Sequence, residues 1–173
     1  MGTVTLITGG ARSGKSAHAL TLAQQTPDAR RYFIATAEAL DDEMRERIAH
    51  HRASRSADFV TIEEPIAIGT ALLELTRRAD IVVVDCLTLW ISNLLMTRRS
   101  DEGILAEARG LASAMAGAPF ASIVVTDEVG AGIVPENAMA RRFRDLLGWT
   151  NQALAQTAER VVLMVAGYPL RVK

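Results

Sequence analysis

The sequence predicts an α/β protein with a mainly parallel sheet between two helical layers, and three observations carry that prediction. Short apolar, β-branched runs recur along the 173 residues, helix-length stretches separate them, and a glycine-rich turn directly follows the first run. Hydrophobic residues make up 49% and charged residues 23%, an ordinary globular balance that suits one domain over residues 1–173.

The first strand is Val4-Thr5-Leu6-Ile7-Thr8, and the alanine- and leucine-rich residues 16–25 after the glycine turn form the first crossover helix. Arg31-Tyr32-Phe33-Ile34-Ala35-Thr36 is the next buried strand. Residues 41–52 place acidic groups early and Arg/His late, which complements the dipole of a helix at both ends. Phe59 to Ile62 can add a short edge strand, and Pro65 opens a helix running to about Arg78. Ile81-Val82-Val83-Val84 is a third buried strand. Residues 87–96 and 104–116 read as two helical pieces separated by the polar segment 97–103. Ser122-Ile123-Val124-Val125-Thr126 follows as a strand, then a long helix over 137–158 loosened near Gly148, then Val161-Val162-Leu163-Met164-Val165. Gly167 and Pro169 turn the chain into a tail, residues 170–172, suited to an antiparallel edge.

The formal net charge of −1 gives no general attraction to polyanions, and no basic patch stands out, so no nucleic-acid partner is expected. No apolar run approaches the roughly 20 residues of a membrane helix, and the N-terminus lacks the features of a signal peptide. The single Cys86 can form neither an intrachain disulfide nor a thiolate cluster and reads as a small buried hydrophobe. A cytoplasmic protein is the expectation.

Gly9-Gly10-Ala11-Arg12-Ser13-Gly14-Lys15-Ser16 satisfies G-x-x-x-x-G-K-[ST] between a strand and a helix, the signature of a P-loop NTPase-like fold. Glycines let the backbone curl so that successive N–H groups face a phosphate, and the helix N-terminus adds its positive end. Lys15 is expected to reach the β- and γ-phosphate oxygens, and the Ser16 hydroxyl to bind Mg²⁺. Asp85, ending its strand, stands where an acidic residue holds Mg²⁺ or its water, or else caps the following helix.

His50 and His51 are adjacent near the end of the 41–52 helix. Neighbouring side chains on a helix diverge by about 100°, so at most one imidazole can sit on a reacting atom. By themselves they also read as exposed residues favoured by a helix C-terminus. His18 reads as packing or surface.

Three stretches nevertheless carry a resemblance that covers nearly the whole chain. They are Thr8 through Ser16; then Ala35-Thr36 with Asp41-Asp42-Glu43-Met44 and Ile48-Ala49-His50-His51; then Glu128-Val129-Gly130-Ala131-Gly132-Ile133-Val134-Pro135-Glu136-Asn137 with Arg142-Phe143-Arg144-Asp145 and Asn151-Gln152. In these the chain resembles the bifunctional adenosylcobinamide kinase/adenosylcobinamide-phosphate guanylyltransferases of cobalamin biosynthesis. The resemblance implies two reactions. ATP or GTP would phosphorylate the aminopropanol hydroxyl of adenosylcobinamide, and GMP from GTP would then pass through an enzyme-bound intermediate to give adenosylcobinamide-GDP.

The resemblance makes His50 the nucleophile towards the α-phosphate of GTP and extends the nucleotide contacts to Ile34, Ala35, Thr36, His51, Arg52, Ala53, Ser54, Glu63 and Asp85. A neutral imidazole is a competent nucleophile near pH 7. A carboxylate such as Glu63 can accept from guanine N1–H and its 2-amino group, or else be a solvated charge beside Glu64. The resemblance also implies a homotrimer, for which Trp90, Leu94, Leu95 and Met96 could supply an apolar contact unless they belong to the core. At position 127 the family is expected to carry Asn, and Asp127 is expected to point away from the phosphates or help bind metal. Two other readings remain: a small-molecule kinase with no histidine nucleophile, and a GTPase-like binding module, although the chain has no Asn-Lys-x-Asp guanine motif.

Overall fold

The computed structural model describes residues 2–39, 42, 45, 46, 48, 49 and 57–173. Seven strands among them form one sheet: β1 (Val4–Gly9), β2 (Arg31–Ala35), β3 (Phe59–Glu63), β4 (Ile81–Asp85), β5 (Ala121–Val125), β6 (Arg160–Val165) and β7 (Tyr168–Arg171). Their spatial order is β3-β2-β4-β5-β1-β6-β7. All neighbours pair in parallel except β6 and β7, so the antiparallel C-terminal edge is present as expected. It begins at Tyr168, earlier than Leu170, because Ala166 and Gly167 form a two-residue turn with φ of 50° and 87°. Positive φ at both positions is the hairpin geometry whose twist matches the strands it joins.

Helix α1 (Lys15–Gln24) covers one face, where Ala19 and Ala23 pack on Ile7, Val83, Val125 and Val162. The other face carries α2 (Ile68–Glu74), α3 (Leu87–Met96), α4 (Asp101–Gly117) and α5 (Ala138–Thr157). There Leu6, Val84 and Val124 meet Trp90, Leu94, Leu111, Leu146 and Leu154. Strand alternation explains the division: Leu6 and Ile7 are successive residues pointing to opposite faces. Burial on both faces in turn explains why the strands read as continuous apolar runs rather than alternating ones.

Several boundaries differ from expectation. Helix α2 is shorter than the predicted 65–78, because Glu64 Oε1 accepts the N–H groups of Ile66 and Ala67 and holds that segment as a turn. Helix α4 begins at Asp101 rather than Ile104, since Ser100 caps it by accepting the Gly103 N–H at 3.1 Å. Helix α5 runs unbroken through Gly148; Leu146, Leu147, Thr150 and Leu154 bury one side and hold the glycine in register. Trp90, Leu94 and Leu95 belong to the core, the second of the two alternatives left open for them, while Met96 is exposed.

The predicted 41–52 helix is helical at Asp42, Arg45, Glu46, Ile48 and Ala49. Its remaining residues, with His50, His51, Arg52, Ala53 and Ser54, lie outside the described residues. Among the described residues no helix is long and apolar enough to cross a membrane.

Candidate phosphate and base site

The glycine-rich loop joins β1 to α1 and adopts backbone angles that few side chains permit. Gly9 has φ +152° and Gly14 φ +94°; a Cβ on Gly9 would lie 2.6 Å from the Met164 carbonyl oxygen. Between them, Arg12 also takes a positive φ of 56°. Two neighbours fix the loop from outside: the Gly167 N–H donates to the Ser13 carbonyl at 3.1 Å, and the Glu128 N–H to the Gly9 carbonyl at 3.0 Å. The β6–β7 turn and the segment after β5 are therefore walls of the same site.

Lys15 is buried, and its ammonium points back over the loop. Nζ donates to the Gly10 carbonyl at 2.6 Å and lies 2.6 Å from Asp127 Oδ1. The expectation that Asp127 points away from this site is thus corrected. The carboxylate faces inward because its main chain is held on both sides: its N–H donates to Thr88 Oγ1 of α3 at 2.9 Å, and its C=O accepts from Asn151 Nδ2 of α5 at 3.1 Å. Asn151 Oδ1 also accepts the Thr126 hydroxyl at 2.7 Å. The contact is part-buried: the Lys15 side chain is 9% exposed and that of Asp127 29%.

The remaining carboxylates line up along the same edge. In the sheet register Glu63 pairs with Ala35, Ala35 with Asp85, Asp85 with Val125, and Val125 with Ile7. One row therefore runs from Glu63 to the strand that carries the phosphate loop. With neighbouring strands roughly 4.8 Å apart, Asp85 lies about 10 Å from β1 because β5 intervenes. Ile34 is wholly buried, main chain included, between Ile62 of β3 and Val84 of β4, so it supports the row from beneath and offers a ligand no exposed atom. Thr36 is buried too, and its hydroxyl donates to the Cys86 carbonyl at 2.7 Å and accepts the Cys86 N–H at 2.8 Å. Asn93 Nδ2 donates to the Thr36 carbonyl at 2.8 Å. Thr36 thereby ties the end of β2 to the residue after Asp85. Burial and the nearby Asp85 carboxylate push the Cys86 thiol up to about 12, in keeping with its reading as a small hydrophobe.

At the far end of the row is a cleft of about 460 Å³ lined by Ala37, Ala39, Arg45, Ile48, Ala49 and Glu63. It brings the exposed Glu63 of β3 beside the segment that immediately precedes His50 in sequence. Thr88, Asn93 and Asn151, which orient Asp127 and Thr36, received no role from the sequence. Their signal was polar side chains set in otherwise apolar helical stretches, which does not by itself say what they hold.

The donor set fits Mg²⁺. No cluster of three or more His, Cys, Asp or Glu residues suited to a metal occurs among the described residues. Mg²⁺ typically takes one or two protein oxygens plus substrate phosphates and water, rather than a protein cage. Ser16 at the start of α1 and Asp85 along the same sheet edge carry oxygens that would suit such a site.

The cobinamide kinase / cobinamide phosphate guanyltransferase family matches residues 5–172. The bifunctional adenosylcobalamin biosynthesis protein CobP of Pseudomonas aeruginosa is 44% identical over 168 residues, covering 97% of this chain and 96% of that protein. Its counterpart CobU of Escherichia coli is 38% identical over 180 residues, covering 97% and 98%. Among solved structures, the RadB recombinase matches 93% of this chain and 73% of its own at 15% identity with a TM-score of 0.54. A type III secretion ATPase matches 95% and 51% at 13% identity with a TM-score of 0.57. At those identities the structural likeness speaks for the fold alone, a P-loop ATPase architecture.

Proposed function

The chain belongs to the cobinamide kinase / cobinamide phosphate guanyltransferase family, and on that premise we propose that one phosphate loop serves two transfers, the second through a guanylylated histidine. In the first, the aminopropanol hydroxyl of adenosylcobinamide attacks the γ-phosphorus of ATP or GTP. The bond to the β,γ-bridging oxygen breaks, the nucleoside diphosphate leaves, and the hydroxyl proton passes to solvent. In the second, an imidazole nitrogen of His50 attacks the α-phosphorus of GTP and pyrophosphate leaves. The phosphate of adenosylcobinamide phosphate then attacks the guanylyl group, giving adenosylcobinamide-GDP and free histidine.

The residues divide this work. The loop amides from Gly9 to Ser16 and Lys15 hold the triphosphate and stabilise charge developing on its oxygens. Ser16 and Asp85 would hold Mg²⁺, which when bound neutralises charge on the β- and γ-phosphates. Glu63 accepts hydrogen bonds from guanine N1–H and the 2-amino group, a donor pair that adenine lacks at that edge. Ala35 contributes main chain above the buried Ile34, Thr36 positions the residue after Asp85, and His51, Arg52, Ala53 and Ser54 complete the nucleotide contacts.

The observation that carries this reading is the cleft shared by Ala49 and Glu63. It sets a guanine-reading carboxylate beside the chain segment leading into His50, along the sheet edge that also bears the phosphate loop. The assembly is proposed to be a homotrimer, checked by sedimentation of the wild-type chain.

Incubation with GTP labelled at the α-phosphate tests the histidine. Acid-labile, alkali-stable label that disappears in His50→Ala supports it. A wild-type protein that takes up no label but still phosphorylates cobinamide would be a kinase alone.

A further inference from the structure

The loop over residues 129–136 carries apolar side chains into solvent directly beside the phosphate site. Ile133 is 98% exposed, Val134 60% and Val129 38%. Fraying does not explain this, since both ends are tied down. At one end the Glu128 N–H is on Gly9 and the Gly130 N–H donates to Glu128 Oε1 at 2.6 Å. At the other, Arg141 Nη1 donates to the carbonyls of Pro135 and Glu136 at 2.9 and 2.6 Å, and Asn137 caps α5. A Cβ placed on Gly132 would meet nothing within 4 Å, so packing inside the chain does not require that glycine. The loop is thus a held platform with an apolar tip and bare main chain.

The acceptor in the proposed phosphoryl transfer is a corrinoid, a broad macrocycle with apolar methyl groups and polar amide arms around its rim. The clefts of about 350 and 460 Å³ sit low in the roughly 300–1,000 Å³ range that encloses drug-sized ligands, and a corrinoid is larger than such ligands. Neither of these two clefts would enclose the ring, which suits an open surface from which one arm reaches the γ-phosphate over Lys15.

We propose that the 129–136 loop is that surface. The ring's apolar rim rests on Ile133, Val134 and Val129, and its amide arms bond to the main chain of Gly130 and Gly132. The Glu128–Gly9 hydrogen bond keeps this platform at a fixed height beside the phosphates, so that a bound acceptor presents its hydroxyl end to the loop. The proposal rests on the corrinoid kinase reading given above, and the occupant it rejects is a second copy of the chain.

The test is the double variant Ile133→Ser/Val134→Ser, assayed for cobinamide phosphorylation, for labelling by α-labelled GTP without corrinoid, and for mass by sedimentation. Exposure of both side chains leaves the fold unaffected. The KM for cobinamide should rise about tenfold or more, the scale expected for losing two apolar contacts, while GTP labelling and mass stay at wild-type values. Ile133→Leu should keep the wild-type KM. An unchanged KM in the double variant overturns the proposal, and so does a fall in mass that accompanies the loss of activity, which would make the loop a subunit contact. Failure of the functional reading is distinguishable, because then the wild-type protein itself would not phosphorylate cobinamide.

Discussion

Lys15 Nζ lies 2.6 Å from Asp127 Oδ1, so the lysine that would receive a triphosphate has a carboxylate as its partner. Thr88 and Asn151 fix the main chain of Asp127 from two helices, which sets the carboxylate at a constant distance from the loop. A phosphate oxygen arriving at Lys15 therefore competes with Asp127.

Removing that competitor should strengthen nucleotide binding. Asp127→Asn keeps the shape and the main-chain contacts but loses the charge. Because the pair is only partly screened, a gain of about 1 kcal/mol, roughly fivefold in Kd, is expected. Calorimetric titration with GTP measures it. Weaker binding would mean that the carboxylate contributes to the loaded site rather than opposing it.

The two glycines at the start of the loop should respond differently to alanine. In Gly9→Ala the new methyl meets the Met164 carbonyl at 2.6 Å at a φ of +152°. The variant should lose about 1–3 kcal/mol of stability in urea unfolding. A methyl on Gly10 meets nothing within 4 Å. Gly10→Ala should unfold like the wild type, and any defect should appear in nucleotide affinity.

Thr36 should act through Cys86. Thr36→Val preserves volume but takes the hydroxyl from the Cys86 N–H, while the Cys86 C=O keeps the Trp90 main-chain N–H at 3.2 Å. A loss of about 1–3 kcal/mol is expected, the usual cost of stranding buried polar groups. Thr36→Ser should restore most of it, and equal stabilities for the Val and Ser variants would count against the clamp.

Glu63→Gln tests base reading without removing the side chain. Its amide can accept only one of guanine's two donors and turns a donor of its own towards them. The preference for GTP over ATP in nucleotide binding should fall by about tenfold or more. Competition binding reads the ratio, and an unchanged ratio would place base selection elsewhere.

Acid should weaken the sheet ends through two carboxylates. The Arg30 side chain, bidentate at 2.9 Å, and then its own main-chain N–H hold Asp80 well below the usual carboxylate range. The Val4 N–H at 2.5 Å holds Glu159 below its ordinary value. Both pKa values are lower folded than unfolded. Their contribution is thus fully present above the unfolded values near about 4 and is lost as pH falls through the folded ones. Asp80→Asn and Glu159→Gln should be less stable than the wild type at pH 7, with the gap narrowing in denaturant titrations at progressively lower pH.

The strands and the phosphate loop were legible because both are local. A buried parallel strand needs a continuous apolar run, and a loop that curls around a phosphate needs glycine where φ is positive, as at Gly9 and Gly14. Boundaries were less legible where a single side chain decides them, as Glu64 does before α2 and Ser100 before α4. Trp90, Leu94 and Leu95 looked equally suited to a core or a subunit contact, since apolarity does not say which surface covers it.

The sequence by itself determined the sheet's composition, the loop and, through the stretches around His50 and Glu128, the family. Strand order was left to the tertiary structure, and strand order decides which carboxylate meets Lys15. With β5 between β1 and β4, the segment after β5 falls beside the phosphate loop, and Asp85 is set one strand further out. A residue's distance from Lys15 depends on hydrogen bonds between strands far apart in the chain, and local residue pattern carries no record of which strands those are. That is why the sequence left Asp127 either turned away or on a metal, whereas the structure sets it against the lysine.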